Sequence, residues 1–410
     1  MKRFFASALA ACIFFGAVGY ARAVEFNAVG KTLSGYDYID VNGFSGDGGS
    51  FIQGLDTQFS IIVSENVSAT TFFSIEQTWG EANDNIGVGS GGAMGADGVN
   101  INTDRAYIDF TVPSTSLKIR SGIQGVGLPG AVAPSPVFDA DVAAIVASQS
   151  VGDSNIAAFF ARPFKTDTGS NIKVSTIDFF GGAFAADLGN VIISPYGLFA
   201  NVTAPVEMPG QRIANNHYWF GTSIEAVATE NLMFAFDGVY GKEHGRLGGY
   251  LVAGKVAYST KIAVPALLCW YGSGNNDNSE GEMPSITDDA FAVTTLIGDG
   301  SMGPDIGYVF GGALGKWGIG LHLEELTVVE KLSHTVRITY ARGTNHASES
   351  ISDWGKDDSV TEVDLTSIYN LHEDVDVVID TAYAITDFAA GEDKYVHSVF
   401  KLAVLVGYFF

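Results

Sequence analysis

Hydrophobic and polar side chains alternate along most of this chain, in segments of about ten residues. In the last segment, 395–410, bulky apolar residues fill the even positions from Phe400 to Phe410, whereas the odd positions include small or charged residues such as Lys401 and Gly407. The same alternation runs through 50–63 and 104–110. A period of two residues is typical of a β-strand with one apolar face, so the sequence predicts an all-β protein. Taken alone, the last segment could also be the edge strand of a soluble sandwich.

Short polar turns and longer loops rich in Gly, Asp and Asn alternate between these segments. This arrangement predicts a transmembrane antiparallel β-barrel with short periplasmic turns and long extracellular loops. Segment 140–149 could be a strand or a short helix, and a barrel whose chain ends lie on one side needs an even strand count, so we predict about 16–18 strands. Strands are expected near 26–42, 50–63, 67–80, 102–112, 116–124, 140–149, 155–163, 172–186, 190–203, 214–228, 231–243, 248–259, 261–273, 314–327, 333–345, 358–371, 374–388 and 395–410. Long loops are expected near 81–101, 164–171, 205–213, 274–313 and 346–357.

The N-terminus has the three parts of a secretory signal peptide. Lys2 and Arg3 precede an apolar stretch over 4–18, and Ala21 and Ala23 provide a small-residue cleavage site. We therefore predict a signal peptide over 1–23 and a single barrel domain over 24–410, with an uncleaved anchor helix as the alternative. Cleavage would remove one of the two cysteines and leave Cys269 alone, so no internal disulfide is expected.

Charge and composition exclude several classes of protein. The chain carries 46 Asp and Glu against 22 Lys and Arg, a formal charge of −24, and a nucleic-acid partner would need a basic face. After residue 23, no apolar run approaches the ~18 residues that a membrane-spanning helix requires. Aromatic side chains near the predicted strand ends are expected to form girdles at the membrane interfaces; they are Tyr36, Tyr38, Trp79, Trp219, Phe220, Trp270, Tyr271, Trp317 and Tyr395.

Motifs that would indicate an enzyme or a cofactor are weak in this sequence. Two stretches, 87–92 and 125–130, match G-x-G-x-x-G, but neither is followed by the helix that a dinucleotide site needs. The seven histidines lack metal-ligand spacing, and no nucleophile elbow is present. The acidic stretch 275–282 could hold a divalent cation, although a solvated extracellular loop is the favoured interpretation. No catalytic residue, cofactor or metal is predicted.

Three local features resemble a known family. Phe410, with Tyr408 on the same face, resembles the C-terminal signal that the barrel-assembly machinery of Gram-negative bacteria recognises in outer-membrane proteins. Segment 103–110 resembles the fourth strand of the trimeric general porins, where an arginine lines the pore. The Gly- and Pro-rich segment 125–141 lies where porins place a loop that folds into the barrel. The closest resemblance is to the homotrimeric porins of sulfate-reducing bacteria, although the family's Pro-Glu-Phe-Gly-Gly loop motif is absent.

The resemblance implies an outer-membrane location, a homotrimer in lipid, and passive diffusion of ions and small hydrophilic solutes through a water-filled channel. The alternatives are a substrate-specific channel and, with less support, an outer-membrane barrel enzyme. A barrel of this size leaves an aqueous lumen, and charged rings in a narrow pore set its ion preference. The candidate constriction residues are Glu76, Arg105, Lys118 and Arg120 on the wall and Asp139 and Asp141 on the inward loop. Because acidic loops outweigh these bases, we expect a modest preference for cations.

Overall fold

The computed structural model describes residues 24–42, 48–80, 101–168, 173–203, 206–208, 211–213, 215–276, 281–287, 290–298, 310–346, 354–389 and 396–410. The predicted signal peptide, the glycine motif at 87–92 and Tyr395 lie outside these residues. In the described part of the chain, no helix is both long and apolar enough to cross a membrane.

Within those residues, 18 strands form one closed antiparallel sheet, in which each strand pairs with its neighbours along the chain. The sheet closes because β1 pairs with both β2 and β20, and a separate hairpin, β10–β11, is inserted between β9 and β12. The barrel strands are β1 (Glu25–Asn42), β2 (Gly48–Ser64), β3 (Val67–Thr78), β4 (Asn102–Thr111), β5 (Lys118–Gly127), β6 (Asp139–Val151), β7 (Ser154–Thr168), β8 (Lys173–Asp187), β9 (Val191–Val202), β12 (His217–Thr229), β13 (Leu232–Glu243), β14 (Gly248–Tyr258), β15 (Val264–Gly272), β16 (Lys316–Val329), β17 (Leu332–Gly343), β18 (Ser359–His372), β19 (Val375–Asp387) and β20 (Ser398–Phe409). The hairpin strands are β10 (Val206–Met208) and β11 (Gln211–Ile213).

The prediction of an all-β barrel is confirmed, and each predicted strand corresponds to a strand of the barrel. The uncertain segment 140–149 is part of β6, which settles the strand number at the upper end of the predicted range. Its side chains alternate in burial, with Val142 and Ala144 buried and Ile145 exposed. Alternation of this kind suits a strand with two different environments on its two faces.

The two faces of the wall differ as the alternation predicts. On β20, Phe400, Val404 and Tyr408 are exposed on the outside, whereas Val399 and Ala403 are buried on the inside. Phe220 and Trp79 are likewise exposed, as expected of girdle residues. The girdle prediction is wrong for Trp219 and Trp270, because both rings point into the barrel and are buried there.

The barrel has two distinct ends. One end, called the turn end below, carries the start of β1, the end of β20 and the short turns between paired strands. The opposite end, called the loop end, carries the longer connections, including those that follow β5 and β15. These ends match the predicted sides of short turns and long loops.

Two connections at the loop end fold into the lumen instead of remaining at the surface. Segment 128–138, between β5 and β6, contains the buried Phe138, and the connection between β15 and β16 contains the buried Met283, Phe291 and Leu296. These side chains belong to one apolar cluster with inward-facing residues of the wall. The inward loop at 125–141 was predicted, whereas 274–313 was predicted only as a long loop and its inward course was not.

Candidate functional site: the lumen

Segment 128–138 is fastened to the wall by a carboxylate. Asp237 on β13 points into the lumen, since its neighbour Phe236 is exposed on the outer face. Its two carboxylate oxygens accept hydrogen bonds from the backbone N–H groups of Ala131, at 2.8 Å, and Val132, at 2.7 Å. Asp237 is only 8% exposed, so these donors compensate for part of the lost hydration of its carboxylate.

Segment 290–298 is fastened in the same way to β18. Glu362 accepts hydrogen bonds from the Thr294 hydroxyl, at 2.7 Å, and the Leu296 backbone N–H, at 2.9 Å. The neighbouring inward carboxylate, Asp364, accepts a longer bond of 3.3 Å from the Thr295 backbone N–H. Both carboxylates are almost completely buried beneath the segment.

The two inward segments also contact each other and the wall between them. The indole nitrogen of Trp219 donates to the Pro284 carbonyl at 2.6 Å, and the Ile286 N–H donates to the Val137 carbonyl at 3.1 Å. The backbone N–H of Asp139 donates to the Thr287 hydroxyl at 2.9 Å. The segments thus form one packed body, which lies against inward-facing residues of β6 to β9, β12 to β15 and β17 to β20. The sequence did contain a signal for it, because 290–298 is an apolar run without charge inside a polar loop.

The inward face of β1 to β5, called the open wall below, has a different character. Among the described residues, two ion pairs lie on this wall and a third joins it to Asp141 at the start of β6, and all their side chains remain partly exposed. Lys31 Nζ lies 3.1 Å from Asp56 Oδ2, Arg105 Nε lies 2.7 Å from Asp141 Oδ1, and Arg120 Nε lies 2.7 Å from Asp109 Oδ1. The three basic side chains are 42–45% exposed. Water therefore reaches this side of the lumen, whereas the inward segments exclude it from the opposite side.

Arginine side chains on this wall also contact aromatic rings. The guanidinium carbon of Arg120 lies 4.2 Å from the centre of the Tyr107 ring, and a second bond joins Arg120 Nη2 to Asp109 Oδ2 at 3.0 Å. Arg105 lies 5.7 Å from the centre of the Phe72 ring. A cation–π contact and a bidentate ion pair with a carboxylate each restrict the orientation of a guanidinium group, so these side chains are held against the wall.

The glycine motif at 125–130 has a structural explanation. Gly125 on β5 lies between Arg105 and Asp141, and a Cβ atom there would be 3.2 Å from Asp141 Oδ1 and 3.4 Å from Arg105 Nη2. The bare backbone lets the ion pair form across the strand. Residues 131–138 contain bends and no helix, so the motif lacks the context of a dinucleotide site.

The structure brings some of the predicted constriction residues together and separates others. Arg105, Asp139 and Asp141 lie near the loop end, where Arg105 pairs with Asp141. Glu76 is close to the loop end of β3, whereas Arg120 and Lys118 lie close to the turn end of β5. Asp139 and Asp141 belong to β6 and not to the inward loop, because Gly125 and Gly127 pair with them in the sheet. The charged lumen residues that were not among the predicted constriction residues include Lys31, Asp56, Asp109, Asp237 and Glu362.

The charged groups of this lumen are suited to attracting and sorting ions in water. In the described ranges, no three His, Cys, Asp or Glu side chains converge as metal ligands would. Of the acidic stretch 275–282, residues 277–280 lie outside the described residues. In a confined aqueous path, side-chain charges favour counter-ions and repel ions of the same sign.

No family model and no curated protein matches the sequence. Solved structures do match. OccK2 (OpdF) of Pseudomonas aeruginosa has a TM-score of 0.62 at 11% identity, covering 94% of this chain and 97% of that one. OccAB3 of Acinetobacter baumannii has a TM-score of 0.60 at 10% identity, covering 94% and 99%. OpdQ of Pseudomonas aeruginosa has a TM-score of 0.59 at 12% identity, also covering 94% and 99%.

The chain has the fold of these barrels. The matched structures are outer-membrane porins of the OccK/OprD type, and the likeness at this level of identity concerns architecture. It does not extend to the trimeric porins of sulfate-reducing bacteria, which the sequence resembles in its short motifs. The porin-like barrel fold predicted from the sequence is therefore confirmed. The narrower resemblance to the porins of sulfate-reducing bacteria is not.

Proposed function

We propose that this protein is an outer-membrane porin, through which ions and small hydrophilic solutes diffuse passively. The observation that supports this most directly is the contrast inside the barrel, where one side is packed and the open wall remains hydrated and charged. An 18-stranded barrel is too wide for its own wall side chains to fill. Here the inward segments narrow the lumen, so solutes would pass along β1 to β5.

The proposed mechanism needs no conformational cycle and no energy source. Solutes small enough to pass the inward segments move down their concentration gradient, and the charges of the open wall bias which ions enter. Because each arginine of this wall is paired with an aspartate, the wall presents less positive charge than its sequence suggests. We infer a modest preference for cations, which salt would weaken by screening.

Recordings from the purified mature protein in a planar bilayer test this proposal. We expect discrete single-channel steps and a flux of small neutral sugars that rises linearly with concentration. Saturable flux with competition between related solutes would instead support a substrate-specific channel. The absence of any conductance from correctly folded protein would refute the channel, and hydrolysis lost on a point mutation would favour a barrel enzyme.

The proposal includes export by cleavage after Ala23, insertion by the barrel-assembly machinery, and a homotrimer in the outer membrane. The end of β20 supports the second step, since Tyr408 and Phe410 lie on the outer face with ring centres 5.9 Å apart. A homotrimer should give three times the protomer mass by light scattering in mild detergent, after subtraction of the detergent. A strictly monomeric mass would contradict the trimer without affecting the channel.

A further inference from the structure

A pocket opens in the inward face of the open wall, centred on Gly54 of β2. In the sheet, Gly54 is paired with Leu33 on one side and with Glu76 on the other. A Cβ atom at Gly54 would have one neighbour within 4 Å, the Ile75 carbonyl oxygen at 3.9 Å, so the space above this glycine is empty. The residues around the pocket are Lys31, Leu33, Ile52, Gln53, Gly54, Asp56 and Glu76.

The charges around this pocket are unequally matched. Asp56 is engaged with Lys31, whereas the Glu76 carboxylate has no hydrogen bond or ion pair with any residue that the structure describes. The pocket therefore carries one net negative charge, located at Glu76. A cation reaching Glu76 would gain a charge-assisted contact without first breaking an existing pair.

The other side of the pocket is apolar. Leu33 and Ile52 flank Gly54, and Ile52 is held in place because it also packs in a small cluster with Val378, Ala403 and Leu405. An apolar group of a solute placed there would bury hydrocarbon against hydrocarbon. A carboxylate and an apolar surface on the two sides of a narrow gap match a solute with a cationic head and a short aliphatic stem.

We propose that this pocket binds small primary ammonium compounds with a short aliphatic stem, and that such compounds are preferred solutes of the channel. The proposal rests on the porin function proposed above and adds a solute class to it. The ammonium group donates hydrogen bonds to the Glu76 carboxylate, and the stem lies over Gly54 against Leu33 and Ile52. Anions are disfavoured because Glu76 repels them and Lys31 is already paired with Asp56.

The test uses n-butylammonium as the probe, in single-channel recordings of the purified protein in potassium chloride. We expect millimolar butylammonium to interrupt the potassium current. Butanol has the same stem without the charge, and butyrate has the opposite charge, so neither should interrupt the current. Glu76→Gln should raise the half-blocking concentration by about tenfold, which corresponds to about 1.4 kcal/mol, because a neutral amide binds an ammonium group more weakly than a carboxylate does.

Two further variants distinguish binding in this pocket from a general attraction of cations by lumen carboxylates. Gly54→Val should fill the pocket without changing any charge, and valine is well suited to a strand, so the barrel should still assemble. It should weaken the block at least as much as Glu76→Gln. Glu225→Gln removes a carboxylate that faces the same lumen from β12, is exposed and lies outside the pocket. Its half-blocking concentration should equal that of the wild type.

The outcomes distinguish failure of the proposed binding site from failure of the proposed porin function. Equal block in the wild type, Glu76→Gln and Gly54→Val would overturn the proposed site while leaving a conducting porin. Block by butyrate as strong as block by butylammonium would also overturn it. If the wild type does not conduct, calorimetric titration of butylammonium into the detergent-solubilised barrel still tests the site. Binding lost in Gly54→Val and kept in Glu225→Gln would then support the site although the porin function had failed.

Discussion

The two sides of the lumen use the same residue types for opposite purposes. On the open wall and at its edge on β6, Asp56, Asp109 and Asp141 pair with basic side chains and remain partly exposed. On the packed side, Asp237 and Glu362 face backbone N–H groups and a hydroxyl of the inward segments and are buried. An inward-facing carboxylate is therefore not by itself a pore charge. Its partner decides whether it acts on solutes or holds a segment in place.

The difference also has an energetic consequence. Partly exposed ion pairs stabilise a protein by about 0–1 kcal/mol, so changes on the open wall should alter ion flow and leave stability nearly unchanged. A buried donor that loses its acceptor costs about 1–3 kcal/mol. Substitutions on the packed side should therefore destabilise the inward segments, and any change in ion flow should follow from that structural change.

The largest effect is expected at the boundary between the two sides, where β20 closes the barrel on β1. Gly30 and Phe410 exchange backbone hydrogen bonds of 2.8 and 3.0 Å there. Deleting Phe410 removes these bonds and the outward terminal ring, so we expect most of the assembled barrel to be lost from the outer membrane. Heat-modifiable gel mobility of membrane fractions measures the folded amount. Phe400→Ala, on the outer face of the same strand, is the matched control, and equal assembly of the two would count against the terminal signal.

A smaller effect is expected from Glu362→Leu on the packed side. This change leaves the Thr294 hydroxyl and the Leu296 N–H without their acceptor, at a cost of about 1–3 kcal/mol for each donor. We expect segment 290–298 to detach from β18. The single-channel conductance should become larger and noisier, and the barrel should unfold at a lower concentration of guanidinium chloride. Glu225→Leu removes an exposed lumen carboxylate and should change neither stability nor noise. A Glu362→Leu channel with wild-type steps would show that the segment is held by packing alone.

The smallest effect is expected on the open wall, from Arg105→Ser. The change releases Asp141 from its ion pair and leaves two carboxylates, Asp139 and Asp141, beside the path. Cation preference should increase, and adding Arg120→Ser should increase it further by releasing Asp109. The zero-current potential under a potassium chloride gradient measures the shift. Arg105→Ser combined with Asp141→Asn should return close to the wild-type value. Anion preference in the wild type, or no shift in the variants, would mean that these charges do not govern the current.

The architecture was largely predictable because alternation is a local property. Each strand was located from its own residues, and because segment 140–149 could be a strand or a helix, the parity of the strand count left 16 or 18 strands. Which side chains line the lumen, and with which partners, was less predictable. Trp219 has the sequence context of a girdle residue, but its ring is buried against Pro284, which lies 65 residues away. Likewise, the aspartate that pairs with Arg105, Asp141, is 36 residues away in the sequence.

The sequence by itself determined that the chain forms strands with one apolar face, and which segments of the chain form them. A two-residue period fixes these features within each segment, without reference to distant residues. Only the tertiary structure decided that the connection between β15 and β16 also enters the lumen and how both connections pack there, and therefore which carboxylates are buried by Ala131, Val132 and Leu296 and which remain beside water. That outcome depends on contacts between residues far apart in the chain, whose partners no local pattern specifies.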